Sequence, residues 1–399
     1  MSAVTPNHAA PRIVLGSGFQ AHYVREVADA YARLGLPVEV IGGNMHAHLQ
    51  FAPGVRFCNL RGNDKLEKSP VSEIKKLANY YVRLMRHVRQ SKSSGIYDVS
   101  IGRPILRCML MYSAFRLMGK RIVYTAHNVL PHDRDTRLNR IIFWAIYRIF
   151  ANAIVVHGQS IKDRIVSEFN VDARKVTVIP HGTYHPCDDT TISKHASRER
   201  LGLSQSARVV LFFGLQRPYK GTHFAIDALM GASIKNLLIL IRGEATNPIY
   251  GKELKATIAA ASLCLAIDSR LEPIPDSEME LLFKASDIVA LPYLEGSQSG
   301  IKYMAYAYGR PVLASNVGSL SDGVISGVTG ETFECGDAAS FLRKLEHMMN
   351  NLDLYDEGRI RAMARDEFSF EAAVRKVERL FDEHSVPPGA TACGEGTNA

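Results

Sequence analysis

Cysteine is scarce and scattered in this chain. The six thiols, Cys58, Cys108, Cys187, Cys264, Cys335 and Cys393, form no close pair and no metal-ligand spacing. That argues against a disulfide-stapled secreted module and against a structural zinc site. It reads as reduced thiols in a reducing compartment. Tryptophan occurs once, and no long apolar run is present. The most apolar stretch, 141–156, is broken by Arg148 and Asn152, too short and too interrupted to span a bilayer. Residues 1–11 are polar, without the charged start and apolar stretch of a secretory leader. The expectation is a cytoplasmic protein, soluble or peripheral on the inner membrane leaflet.

What is present is a large globular composition. With 399 residues, 46% of them hydrophobic, the chain can build two domains, each with its own core. Arg12-Ile13-Val14-Leu15 reads as a strand running into Gly16-Ser17-Gly18. A helical pattern over 22–34 and a strand over 38–41 follow, which is a βαβ unit and predicts a parallel sheet. Further short buried-type strands are expected over 99–101, 121–124, 153–156 and 176–179. Residues 186–205 are polar and weakly periodic, as in an interdomain linker. A second α/β set then predicts strands over 209–213, 237–241, 263–267, 288–291 and 311–314. The fold class is therefore α/β, with two Rossmann-like doubly wound domains facing a central cleft and ligands beyond the C-terminal strand ends. The expected bounds are 1–190, 205–365, an amphipathic C-terminal segment over 366–384 and a disordered tail over 385–399.

Two loops carry chemistry. In Phe212-Phe213-Gly214-Leu215-Gln216-Arg217-Pro218-Tyr219-Lys220-Gly221, an apolar strand meets a glycine, then a turn bearing Arg217 and Lys220, then a helix. Glycines permit close backbone approach, and the cations can neutralise charge on a leaving diphosphate. In isolation a solvated turn with two surface cations would look the same. In Leu291-Pro292-Tyr293-Leu294-Glu295-Gly296-Ser297-Gln298-Ser299-Gly300-Ile301-Lys302, small residues open a helix and leave backbone N–H groups for phosphate oxygens. Glu295 can accept hydrogen bonds from sugar hydroxyls. Ordinary capping by Ser297 or Ser299 is compatible with that role. Gly309-Arg310-Pro311-Val312-Leu313-Ala314-Ser315-Asn316-Val317-Gly318-Ser319 and Gly327-Val328-Thr329-Gly330-Glu331-Thr332-Phe333 complete the set as a strand, a turn and a hairpin-like return.

In this order and spacing, these segments resemble the nucleotide-binding half of glycosyltransferase family 4, of the GT-B fold. The likeness covers about residues 10–384. It implies a nucleotide-diphosphate sugar donor, UDP- or GDP-linked, held mainly by the second domain, with no required metal and no cofactor. It also implies a C-terminal helix crossing back to the first domain, which suits 370–381. By the same resemblance Tyr124-Thr125-Ala126-His127-Asn128 brings His127 to the reaction centre. The glycine loop Gly16-Ser17-Gly18-Phe19 puts Gly18 near the donor phosphates. Pro180-His181-Gly182-Thr183 matches a turn in which His181 replaces the usual Asn. The catalytic set is His127, Arg217, Lys220 and Glu295. Donor contacts are Gly18, Gly214, Arg217, Lys220, Ile274, Glu295, Ser297, Ser299, Gly300 and Ile301. The chain departs from the family where a second Glu, the ribose ligand, gives way to Met304, and where Leu215 stands in place of the Arg after the glycine. Retention of configuration is implied, with the diphosphate helping to deprotonate the acceptor. An inverting course would need a base such as His127 or Asp133. Asp133-Arg134-Asp135 otherwise reads as a solvated loop.

Charge is concentrated in the first half. Residues 73–148 carry fifteen Lys and Arg against four Asp and Glu, a net +11, while the whole chain is +8. Cations interleave with Leu77, Tyr80, Tyr81, Leu84, Met85 and Val88, as in an amphipathic surface seated on anionic lipid. The acceptor expected from this is a saccharide or a polyprenyl-diphosphate-linked sugar in surface polysaccharide assembly. Nucleic acid is not an expected partner, because no nucleic-acid module is present and the Gly and Ser loops would go unexplained. A non-catalytic nucleotide-sugar-binding subunit is the alternative that Met304 supports.

Overall fold

The computed structural model describes residues 10–16, 21–63, 69–99, 106–130, 135–183, 192–296 and 299–383. Strands and helices alternate. The order is β1 (Arg12–Leu15), α1 (Ala21–Arg33), β2 (Val38–Gly42), α2 (Asn44–Ala47), β3 (Val55–Asn59), α3 (Pro70–Gln90), β4 (Gly95–Asp98) and α4 (Leu106–Leu117). There follow β5 (Arg121–Ala126), α5 (Arg137–Ala145) running into a π-helical turn over Ile146–Phe150, β6 (Ala153–Val156), α6 (Gln159–Phe169) and β7 (Val176–Val178). Next come α7 (Lys194–Arg200), β8 (Arg208–Phe213), α8 (Thr222–Leu229), β9 (Leu237–Arg242), α9 (Pro248–Ala261), β10 (Ala266–Arg270) and α10 (Asp276–Ala285). The chain continues with β11 (Ile288–Leu291), α11 (Gly300–Ala307), β12 (Val312–Ser315), β13 (Gly330–Phe333), α12 (Ala338–Asn350), α13 (Glu357–Phe368) and α14 (Phe370–Glu383). Two compact units result. One holds the chain through His157, Ile161–Ile179 and the segment from Phe370 on; the other holds Gly158–Ser160 and Pro180–Ser369.

In the first unit seven parallel strands run in the order β3-β2-β1-β4-β5-β6-β7. Val14, Val40 and Val155 are fully buried, as strands covered on both faces require. Helix α14 packs on α1 within this unit. Its Val374, Val377 and Phe381 are buried. Glu378 accepts from Arg12 Nε at 2.9 Å and from Tyr31 Oη at 2.8 Å.

In the second unit six parallel strands run β10-β9-β8-β11-β12-β13. The order reverses between β8 and β11, so the loops leaving these two strands open side by side. Such a switch point is where ligands settle in doubly wound sheets.

Four readings shift against the sequence pattern. The strand expected over 263–267 starts later, at Ala266, because α9 runs on to Ala261 and Leu263 stands exposed in the turn between them. The hairpin-like return over 327–333 is a parallel strand, with Leu313 opposite Glu331. The polar segment 186–205 contains α7, whose Arg198 reaches buried Asp287 at 2.9 Å. The strand expected over 99–101 is found at Gly95–Asp98; residues 100 and 101, like the tail from 385, lie outside the described residues.

Candidate active site

The loop after β8 is shaped by two glycines and a glutamine. Gly214 has φ +91°, and a Cβ built there would stand 2.8 Å from Ile301 Cδ1 and 3.2 Å from Lys220 Nζ. Gly221 has φ +68°, and its Cβ would lie 2.0 Å from the Pro292 carbonyl oxygen. Only glycine tolerates both the backbone angle and the contact. Buried Gln216 holds the loop between them: its Nε2 donates to Gly214 O, and its Oε1 accepts from Thr222 Oγ1, each at 2.8 Å. Nothing in the sequence pattern singled out Gln216, since a polar residue in a turn gives no sign of burial.

Lys220 closes a short 3-10 turn over Pro218–Lys220 and lies 5.6 Å from the centroid of the Tyr293 ring. Burial, then the charge of Arg217, pushes its ammonium down to about 8. A desolvated cation facing a second cation is short of an anion, which a diphosphate would supply. Arg217 itself is exposed.

The loop after β11 is tied to the first. Leu294 N donates to Tyr219 O at 2.7 Å. The Tyr293 and Ser299 hydroxyls are 2.8 Å apart, and Ser299 Oγ caps α11 by accepting from Ile301 N at 3.3 Å. Tyr293 is raised by burial. Gly214, Lys220, Ser299, Gly300 and Ile301 thus gather at the switch point, with Tyr293 as a further member whose role the sequence did not show. Glu295 is exposed on the same loop. Ile274, half-buried between β10 and α10, packs against the apolar core of this unit. Met304 does the same from α11. Lys302 serves structure: its ammonium donates to the carbonyls of Leu320 at 2.9 Å and Asp322 at 2.6 Å. His181 Nδ1 lies 3.1 Å from Gly182 O in its turn, and burial lowers its pKa. Gly18, Ser297 and Asp133 fall outside the described residues.

In the first unit His127 follows β5. Its Nε2 lies 3.1 Å from the Val99 carbonyl at the end of β4. A carbonyl only accepts, so the neutral ring carries its proton on Nε2 and presents a lone pair at Nδ1. The His157 and Tyr23 rings pack around it, with centroids 5.1 and 5.5 Å away. Neither neighbour was legible in sequence, because His157 follows β6 and Tyr23 comes from α1.

Among the described residues one group has metal-ligand chemistry, Glu39, Cys58 and His87. His87 Nε2 is 2.9 Å and Cys58 Sγ 3.2 Å from the Glu39 carboxylate, and Arg56 pairs with the same group at 3.2 Å. Burial, then Glu39, pushes the Cys58 thiol up to about 11. This is a buried carboxylate surrounded by donors on β2, β3 and α3, three strands from β5 and His127 in the sheet order.

Comparison with known proteins matches both units to families. The model of Glycosyltransferase Family 4 matches residues 20–184, and that of Glycosyl transferases group 1 matches 207–351. A D-inositol 3-phosphate glycosyltransferase of Corynebacterium efficiens is 28% identical, over 92% of this chain and 91% of its own. One from Arthrobacter is 26% identical over 96% of each. A glycosyltransferase structure from Rickettsia africae shares the fold with a TM-score of 0.73 at 16% identity, covering 94% of this chain and 99% of that one. Anabaena HepE in complex with UDP gives 0.72 at 18%, covering 94% and 100%.

Proposed function

For a chain that belongs to glycosyltransferase family 4, we propose that it moves a sugar from a nucleotide-diphosphate donor to an acceptor hydroxyl. The observation that carries the reading is the convergence of Gly214, Lys220 and Ile301 at the switch point, where a Cβ on Gly214 would meet both neighbours. A diphosphate there would face the Lys220 ammonium and the N-terminus of α11. UDP in the complex of Anabaena HepE supports a nucleotide ligand for this fold.

The course we assign is retention. The bond from the anomeric carbon to the diphosphate breaks, the acceptor oxygen bonds on the same face, and the acceptor proton passes to the departing phosphate oxygen. Arg217, Lys220 and the Ser299–Gly300 backbone stabilise the leaving charge, where preorganised donors contribute most. His127 and Glu295 are assigned to the donor sugar.

The acceptor we propose is anionic, a lipid-linked saccharide at a negatively charged membrane surface. The net +11 over 73–148 supports it. No helix among the described residues is long and apolar enough to cross a membrane, so contact would be peripheral. A phosphorylated cyclitol is the second reading, favoured by the printed name of the Corynebacterium relative. Thermal-shift stabilisation against UDP, GDP, ADP, dTDP and their sugars, with and without Mg²⁺, tests the donor. Turnover by the purified chain with either acceptor class separates the two readings. Absence of any nucleotide shift would sink the donor site and leave the binding-subunit alternative.

A further inference from the structure

The crossovers from β3 to β4, β4 to β5 and β5 to β6 advance across the first sheet in one direction. Right-handed connections then put α3, α4 and α5 on a single face. α3 packs beside α4, and α4 beside α5 and its π turn. The inward sides of these helices are committed to the core through Leu84, Val88, Phe115, Ile142 and Phe143. Their outward sides should then be polar, as on an ordinary surface helix.

They are not. Among the described residues sixteen large hydrophobic side chains are exposed, and nine of them lie on α3, α4, α5 and the π turn. Leu138, Ile141 and Trp144 recur every third residue along α5, exposed by 64, 61 and 41%. On α4, Leu110 and Leu117 stand two helical turns apart, 70 and 90% exposed. Val71, Ile74 and Val82 continue the pattern on α3. Arginines stand among them, and the Arg148 guanidinium lies 5.6 Å from the Trp144 ring centroid. Scattered exposed apolar residues are normal; a concentration on one helical layer marks a partner.

We propose that the outer face of α3, α4 and α5 is a bilayer-docking surface. In it Leu117, Ile141 and Trp144 enter the boundary between headgroups and acyl chains, while Arg137 and Arg148 hold lipid phosphates. Charge selects this occupant. A second copy of the same face would bring together two helical layers that each carry ten Lys and Arg against one Glu, which repel. A nucleic acid would satisfy the arginines and leave the bulky aliphatic side chains without a use. An anionic membrane serves both. The inference rests on the membrane-facing part of the proposed function and adds which surface engages and that it inserts.

Trp144 is the chain's only tryptophan, so its fluorescence reads this face alone. The full chain is titrated with phosphatidylcholine vesicles and with vesicles of equal parts phosphatidylcholine and phosphatidylglycerol. Expected with the anionic vesicles are a blue-shifted emission, quenching by lipids brominated along the acyl chain, and cosedimentation. Leu117→Asp and Ile141→Asp should each weaken partitioning roughly tenfold while nucleotide-induced thermal shifts stay as in the parent chain. Three results overturn the inference. One is no change in emission with anionic vesicles. Another is binding that neither variant weakens, which leaves adsorption elsewhere on the surface. The third is a concentration-dependent blue shift without lipid, which assigns the face to self-association. None of these touches the donor reading, which stands or falls on the nucleotide panel.

Discussion

The Lys220 ammonium lies 5.6 Å from the centroid of the Tyr293 ring, joining the loops after β8 and β11. Tyr293 in turn meets Ser299 at the start of α11. One desolvated cation, one aromatic face and one helix N-terminus therefore share the place where the strand order reverses. The consequences are measurable.

Nucleotide affinity should depend on the protonation of Lys220. Burial and Arg217 hold the free ammonium at about 8, and a bound diphosphate must raise it. Affinity is then flat below pH 8 and weakens above it, by up to about tenfold per pH unit. Lys220→Met should bind more weakly and lose that slope, as titration calorimetry across pH would read. The ligand-free protein runs the other way. The unfolded chain holds this proton up to about pH 10.4, so stability rises as pH climbs from 8 toward that value. Lys302 and Lys175, also lowered to about 8 by burial, add to the trend.

Gly221→Ala should disorganise the loop rather than trim it. The left-handed backbone and the contact with the Pro292 carbonyl together cost roughly 2 kcal/mol or more. A lower urea midpoint accompanied by loss of the nucleotide shift is expected. A variant that keeps both would show that this loop does not hold the ligand.

Met304 packs against the core, and by the family resemblance it stands where a ribose-binding Glu is expected. Met304→Glu should tighten nucleotide binding roughly tenfold through a charged hydrogen bond and lower the melting temperature. Unchanged affinity would mean that the ribose is held elsewhere in this chain.

His127→Ala should leave binding of the bare nucleotide diphosphate intact. It should lower turnover with the nucleotide sugar roughly tenfold to a hundredfold, the worth of a hydrogen bond to the reacting sugar. Steady-state rates beside thermal shifts would separate the two effects. An equal loss of both would make the residue a packing partner of Tyr23 and His157.

Phe381 lies against Gly95, where an added Cβ would stand 2.5 Å from its ring, and under the Arg12 guanidinium at 4.3 Å. Phe381→Ala should destabilise the first unit by about 3 kcal/mol or more, seen as an earlier transition in urea. A midpoint unchanged from the parent would mean α14 is not integral to that unit.

Much of this molecule is written locally. The apolar strands, the glycines that end them and the loop cations are short-range signals, because period and turn chemistry act over a few residues. They suffice for two parallel α/β sheets and for Gly214, Lys220, Ser299 and Ile301 as candidates. Leu263 misled for the same reason: an apolar triplet looks alike in a strand and in the turn before one. What only the tertiary structure decided depends on residues far apart in the chain. Tyr293 is the ring beside Lys220, and His157 and Tyr23 are the neighbours of His127, because strand order sets them side by side. The outward apolar layer is likewise a tertiary fact. Leu117 and Ile141 read as core in any pattern, and only the packing of α4 and α5 on the sheet leaves them in water.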